Sequence, residues 1–182
     1  MNAEEKYQAE LKQSDIDHHT PTAGAMTGHI IANLVIHSLK INQASLFAKG
    51  SASPFLDEYA EKWLNFEKNE FERLNHLLVN NGESIPTTTD QFKEFTMLEE
   101  NGADKYNDAD DQVFALVKDF DTQTLFITKA IFLAEKEDWP ELAQNLISFL
   151  AWIKEQIRLT QNFLGHDLHE GLYNEEGDDD DF

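Results

Sequence analysis

The sequence predicts an all-α fold, a four-helix bundle with a long crossover that holds one short helix. Three observations support this. Apolar residues recur at helical spacing along most of the chain, and no alternating stretch is long enough to read as a strand. Four segments each run long enough for a bundle helix. Between the second and third of them lies a long polar stretch, "ESIPTTTDQFKEFTMLEENGADKYND", where the chain has to travel the length of the bundle.

The first helix is expected from about Thr27 to Lys49, with Thr27 as a candidate N-cap and Gly50 as its stop. The second begins near Pro54, a good first-turn residue, and continues through Tyr59, Trp63, Phe66 and Leu74 to Gly82. The crossover follows, with a short helix expected around Gln91 to Leu98. The third helix, from about Ala109 to Lys136, carries Val113, Val117, Phe120, Thr124, Ile127 and Ile131 at steps of three and four, the seam of a bundle helix. Asp138 and Pro140 mark the next break. The fourth helix then shows Leu142, Leu146, Phe149, Leu150, Ile153 and Ile157 before Gly165. Four long helices with one crossover describe a ferritin-like bundle.

Composition narrows the function classes. The 182 residues contain 14 Lys+Arg against 35 Asp+Glu, a formal charge of −21. Such a chain attracts cations and repels phosphate backbones. With no cysteine, it has no disulfide, thiolate metal site or cysteine nucleophile. No apolar run approaches the roughly 20 residues of a membrane span, and the N-terminus lacks the basic and apolar regions of a secretion signal. The expectation is a cytoplasmic protein of one domain: an N-terminal tail over 1–26, the bundle over 27–165, and an acidic, disordered C-terminal tail over 166–182.

The second helix carries the most suggestive pattern. Asp57, Glu61, Asn65, Lys68, Glu72 and His76 follow one another at steps of three and four and form one polar stripe, opposite Trp63, Phe66, Phe71, Leu74 and Leu78. Either this is a solvated face or it is half of a metal site. Asp57 and Glu72 are roughly 22 Å apart along a helix rising 1.5 Å per residue, so one chain cannot bring both to one ion. Two antiparallel copies across a two-fold axis would set Asp57 and Glu61 of one chain near Glu72 and His76 of the other. Carboxylates with an imidazole suit iron, manganese or zinc.

Over residues 27–165 the sequence resembles the Dps family, the mini-ferritins that protect DNA during starvation. The family's first-helix signature, a Lys-Leu-His step, then His-Trp and then a glycine, aligns without gaps on Lys40-Ile41-Asn42, Ser45-Leu46 and Gly50. Asp57 stands where the family has its second histidine, and Glu61 where it has a helper acid. The acid pair that completes the inter-subunit ferroxidase centre corresponds to Glu72 and His76. Gly82 and "PTTTDQFKEF" continue the register. Ser45 replaces a histidine ligand and Leu46 the usual tryptophan, so the centre has departed from the family pattern.

The resemblance implies a homo-oligomer, a dodecamer built from two-fold dimers, that binds and sequesters iron or another divalent metal. It leaves open whether Asp57, Glu61, Glu72 and His76 oxidise Fe(II) and so limit peroxide damage, or whether the centre is lost and a non-enzymatic cage or interaction protein remains. It also implies a cation entry at acids near the third and fourth helix junction, here Glu135, Glu137, Asp138 and Glu141, although a charged helix corner explains them as well. DNA protection by this family uses lysine-rich tails. Here the ends carry mostly acids, and direct DNA binding is expected to be weak. His37 reads as a hydrogen-bonded structural histidine, and "DHH" from Asp17 to His19 and "HDLHE" from His166 to Glu170 as adventitious chelators in the tails.

Overall fold

The computed structural model describes residues 1–172. Six helices account for most of them: α1 (Ala3–His19), α2 (Ala23–Phe47), α3 (Ala52–Asn80), α4 (Thr89–Phe95), α5 (Ala109–Lys136) and α6 (Pro140–Leu164), with one 3-10 turn at Asp104–Tyr106. Helices α2, α3, α6 and α5 form the bundle, each packed on its neighbours in that cyclic order. None of the helices among the described residues is long and apolar enough to cross a membrane.

The core follows the predicted seams. Val113, Val117, Phe120 and Ile127 of α5 and Leu142, Leu146, Phe149 and Ile153 of α6 are buried against Ile30, Leu34 and Ile41 of α2. Trp63 anchors α3: its ring meets Phe120 edge-on at 5.4 Å, and its Nε1 donates to Gln156 Oε1 at 3.0 Å, so a polar indole is buried with its hydrogen bond made. Each large side chain so buried contributes about 1.5–3 kcal/mol.

Several boundaries differ from the sequence reading. α2 begins four residues early because Thr22 is its cap, accepting from the Ala25 N–H at 3.1 Å, whereas Thr27 is buried inside the helix and donates to the Ala23 carbonyl at 2.7 Å. The segment read as an N-terminal tail contains α1, started by a reciprocal Asn2–Glu5 capping box. α1 buries no residue of its own. Residues 166–172, assigned to the C-terminal tail, turn back along α6. Gln161 Nε2 donates to the carbonyls of Leu168 and Glu170, and Leu172 enters the core. The acidic run from Glu175 lies outside the described residues.

The crossover from α3 to α5 is tied to the bundle by α4. Asn33, wholly buried on α2, accepts from Thr96 Oγ1 at 3.0 Å and from the Met97 N–H at 2.8 Å, which satisfies the backbone where α4 ends.

Candidate metal centre

α3 presents the polar stripe as the spacing requires: Asp57, Glu61, Asn65, Lys68, Glu72 and His76 are all exposed on one face. Among the described residues, Asp57, Glu61, Glu72 and His76 make no side-chain hydrogen bond or ion pair, so their donor atoms are available to a ligand or a second chain. Within a single chain they do not converge, and no group of three or more His, Asp or Glu side chains among the described residues stands in a metal-holding arrangement. Ser45, half-buried near the end of α2, donates its hydroxyl to the Asn42 carbonyl at 2.9 Å. That hydroxyl is occupied by its own helix and is a poor metal donor.

Beside the stripe, Leu34, Val35, Ser38 and Leu39 of α2 and Leu64, Glu67, Lys68 and Phe71 of α3 line an open, mostly apolar groove. Leu39 remains 54% exposed, a large apolar side chain left facing outward on this face.

The core-facing side of α3 differs from the expected one. Phe66 and Phe71 are only half-buried, and the seam runs Trp63, Glu67, Glu70, Leu74, Leu78, with two acids inside it. Steps of four, three, four and four put both glutamates in the heptad core register. That register was readable in the sequence; what was not readable was a partner able to hold a buried carboxylate.

For Glu67 the partner is His37. The His37 Nδ1 pairs with Glu67 Oε1, Ser38 Oγ donates to Glu67 Oε2 at 2.9 Å, and both charged side chains are buried. Phe120 meets the imidazole edge at 4.5 Å. One turn further along α2, Lys40 Nζ lies 2.6 Å from Asp119 Oδ2 of α5. Burial alone would depress the His37 pKa, but the Glu67 charge and hydrogen bond, with Asp119 behind them, raise it above its ordinary value. The second seam acid, Glu70, accepts from Asn145 Nδ2 of α6; burial pushes its pKa up, and Asn145 and Arg73 hold it back. His37 is thus a structural histidine: its pair with Glu67 and the Lys40–Asp119 pair set opposite charges together across helices, whereas Glu70 has only the amide of Asn145 from α6.

The acids at the α5–α6 corner do not act alike. All four are exposed, and only the Glu137 side chain has a backbone partner among the hydrogen bonds of the described residues: its Oε1 accepts from the Ala23 N–H at 2.9 Å and so satisfies the start of α2. Asp138 turns the chain at φ 56, and Trp139 beside it is buried. Nearby, burial raises the Glu83 pKa, and Asp17 and Glu137 raise it further.

No protein-family model matches the chain, and no curated protein sequence does. Solved structures do. The DpsB protein of Lactococcus lactis MG1363 is 34% identical, with alignment covering 92% of this chain and 96% of that one at a TM-score of 0.86. DpsA of the same organism is 33% identical over 93% of this chain and 99% of that one, at a TM-score of 0.84. Dps from Listeria monocytogenes, 24% identical over 81% of this chain and 96% of that one, shares the fold at a TM-score of 0.77.

Proposed function

Because the chain belongs to the Dps family of mini-ferritins, we propose that it is a cytoplasmic cage protein that gathers iron or a similar divalent cation without an efficient ferroxidase centre. The observation that carries this is position 45. The hydroxyl at the family's histidine position is bonded into its own helix, and among the described residues no group of three or more His, Asp or Glu side chains could hold a metal ion.

Assembly is expected through the α2–α3 face. Its apolar groove offers area to bury in a two-fold contact, and a dodecamer of such dimers follows from the family resemblance. Cations are drawn to a shell whose every chain contributes a charge of −21. The same charge opposes direct DNA binding.

A second reading rests on the stripe itself. Asp57 and Glu61 of one chain, facing Glu72 and His76 of a two-fold mate, would supply carboxylate and imidazole donors suited to Fe(II), with the two ligand types exchanged between sides relative to the family. The open, unpaired state of all four side chains favours it.

Fe(II) oxidation by the metal-free assembly, followed at the ferric absorption band with oxygen and then with peroxide, separates the two. The expected rate is no faster than buffer, with the shell intact. Rapid oxidation that disappears in the Glu72→Ala/His76→Ala double variant would overturn the proposal and establish the stripe as a working inter-subunit centre.

A further inference from the structure

Away from the stripe, two half-buried imidazoles from different helices meet where α1 docks on the bundle. His18 lies in the last turn of α1 and His29 in the second turn of α2, on either side of the Thr20–Pro21–Thr22 connection. Their rings are 4.8 Å apart between centroids and nearly perpendicular, at 83°. Phe95 of α4 stacks on His18 at 4.9 Å and meets His29 edge-on at 6.0 Å, so both rings are braced by one aromatic surface. α1 buries no residue of its own, and this ring contact is therefore a hold that no hydrophobic stripe backs up.

The hydrogen bonds fix the tautomers. His18 Nδ1 lies 2.6 Å from the Ser14 carbonyl oxygen, and His29 Nδ1 lies 2.7 Å from the Phe95 carbonyl oxygen. A carbonyl only accepts, so in each neutral ring Nδ1 carries the proton, and charging the ring puts a second proton on Nε2. In His18 that atom is fully buried and has no hydrogen-bond partner among the described residues. A proton there would make a buried donor with nothing to donate to, which the docked position disfavours. His29 resists charging for a different reason. Burial lowers its pKa, the bond to the Phe95 carbonyl holds it back in part, and His18 and Lys129 of α5 lower it further.

We propose that the His18–His29 contact is an acid-operated latch: with both rings neutral α1 is docked, and when they take up protons two like charges under one aromatic surface push α1 off the bundle. The sign follows from His29. Its pKa is lowered on folding, so its contribution to docking is complete above the ordinary 6.5 and is lost as pH falls through the folded-state value. The acids nearest the pair do not reverse this. Glu10 and Asp17 of α1 and Glu83 of the α3–α4 connection line the cavity beside His18, whose α4 wall is Gln91 and Phe95, and none of them hydrogen-bonds the His18 Nε2. Burial, Asp17 and Glu137 at the end of α5 raise the Glu83 pKa, so acid removes this counter-charge while it charges the rings. A neutral Glu83 also repels Asp17 less, an opposing contribution that Glu83→Gln isolates. Once released, α1 has 17 residues and no buried face, too little to stay helical alone, so opening shows as loss of amide protection.

The test is amide hydrogen exchange of the full-length assembly, read by mass spectrometry over α1 and corrected for the intrinsic effect of pH, at about pH 7.5 and about pH 5.5. One imidazole with an ordinary pKa of 6.5 can change an opening equilibrium at most about tenfold at the lower of these. Protection of α1 in the native chain is expected to fall at least about threefold between the two, while α5 and α6 keep theirs. The fall should be smaller in His18→Gln and in His29→Gln and absent from the double variant. It should persist in Glu83→Gln and in His19→Gln, whose site lies on the exposed side of α1. The readout is the ratio between the two pH values, so a constant weakening of docking by a substitution cancels. A native α1 that is unprotected at the higher pH, or equally protected at both, overturns the proposal. So does a fall that survives in the double variant, vanishes in Glu83→Gln or spreads to α5 and α6.

Discussion

Replacing Glu67 by alanine should be among the most damaging single changes to the bundle. Glu67 is 1% exposed, and its carboxylate is held by His37 on one oxygen and Ser38 on the other. Deleting it leaves an imidazole at 0% exposure that no longer has its counter-charge. Breaking a buried ion pair by removing one partner costs about 3–5 kcal/mol. At roughly 2–4 °C of Tm per kcal/mol for a chain of this size, the loss is about 6–20 °C. Calorimetric unfolding at fixed protein concentration measures it, the fixed concentration being needed because assembly stabilises the folded chain. Glu67→Gln, which keeps the shape and hydrogen bonds, should lose less. The double variant His37→Leu/Glu67→Leu should recover most of the loss, because no lone charge remains buried. The sign of the pH effect follows from the raised His37 pKa: the stabilisation is fully present below the ordinary value of 6.5 and is lost as pH rises through the folded-state value. The Tm gap between the native chain and His37→Gln should therefore narrow from pH 6 towards alkaline pH. A Glu67→Ala Tm within about 2 °C of native would refute the reasoning, since it would mean that the pair contributes no more than a surface salt bridge.

Gly171→Ala should loosen the C-terminal clasp without unfolding the bundle. Gly171 has φ 70, and an added Cβ would meet Phe114 Cζ at 2.8 Å, so the substitution combines about 1–2 kcal/mol of backbone strain with a clash. The amide of Leu172, bonded to the His169 carbonyl, should exchange faster with solvent while the bundle amides do not change. Gel retardation of duplex DNA by the assembly should be absent at about 150 mM salt. A salt-sensitive shift there would contradict the charge argument.

The long helices were legible in the sequence because each bundle helix writes its buried face at a period near 3.6, and each end has a local chemical marker. Pro140 in the first turn of α6 and Gly165 at its end are such markers, Gly165 taking φ 72 in the structure. Caps are less secure. Thr22 and Thr27 are equivalent candidates by composition, and only the packing of the α2 start against Glu137 chooses between them. α1 was missed because it has no apolar face to reveal it: it is held by its cap and by His18 against Phe95, not by a hydrophobic stripe.

By itself, the sequence determined which residues lie on the outward stripe of α3, since side-chain direction on a helix depends only on spacing. Asp57, Glu61, Glu72 and His76 are exposed together for that reason. Which distant side chains meet is a different quantity. His37 and Glu67 are 30 residues apart, and His29 and the Phe95 carbonyl 66 apart. Their contact depends on how helices are shifted and rotated against one another, which is settled by the packing of the whole core. Only the tertiary structure could therefore show that two glutamates in the α3 seam are held from α2 and α6, Glu67 by His37 and Ser38 and Glu70 by a hydrogen bond from Asn145.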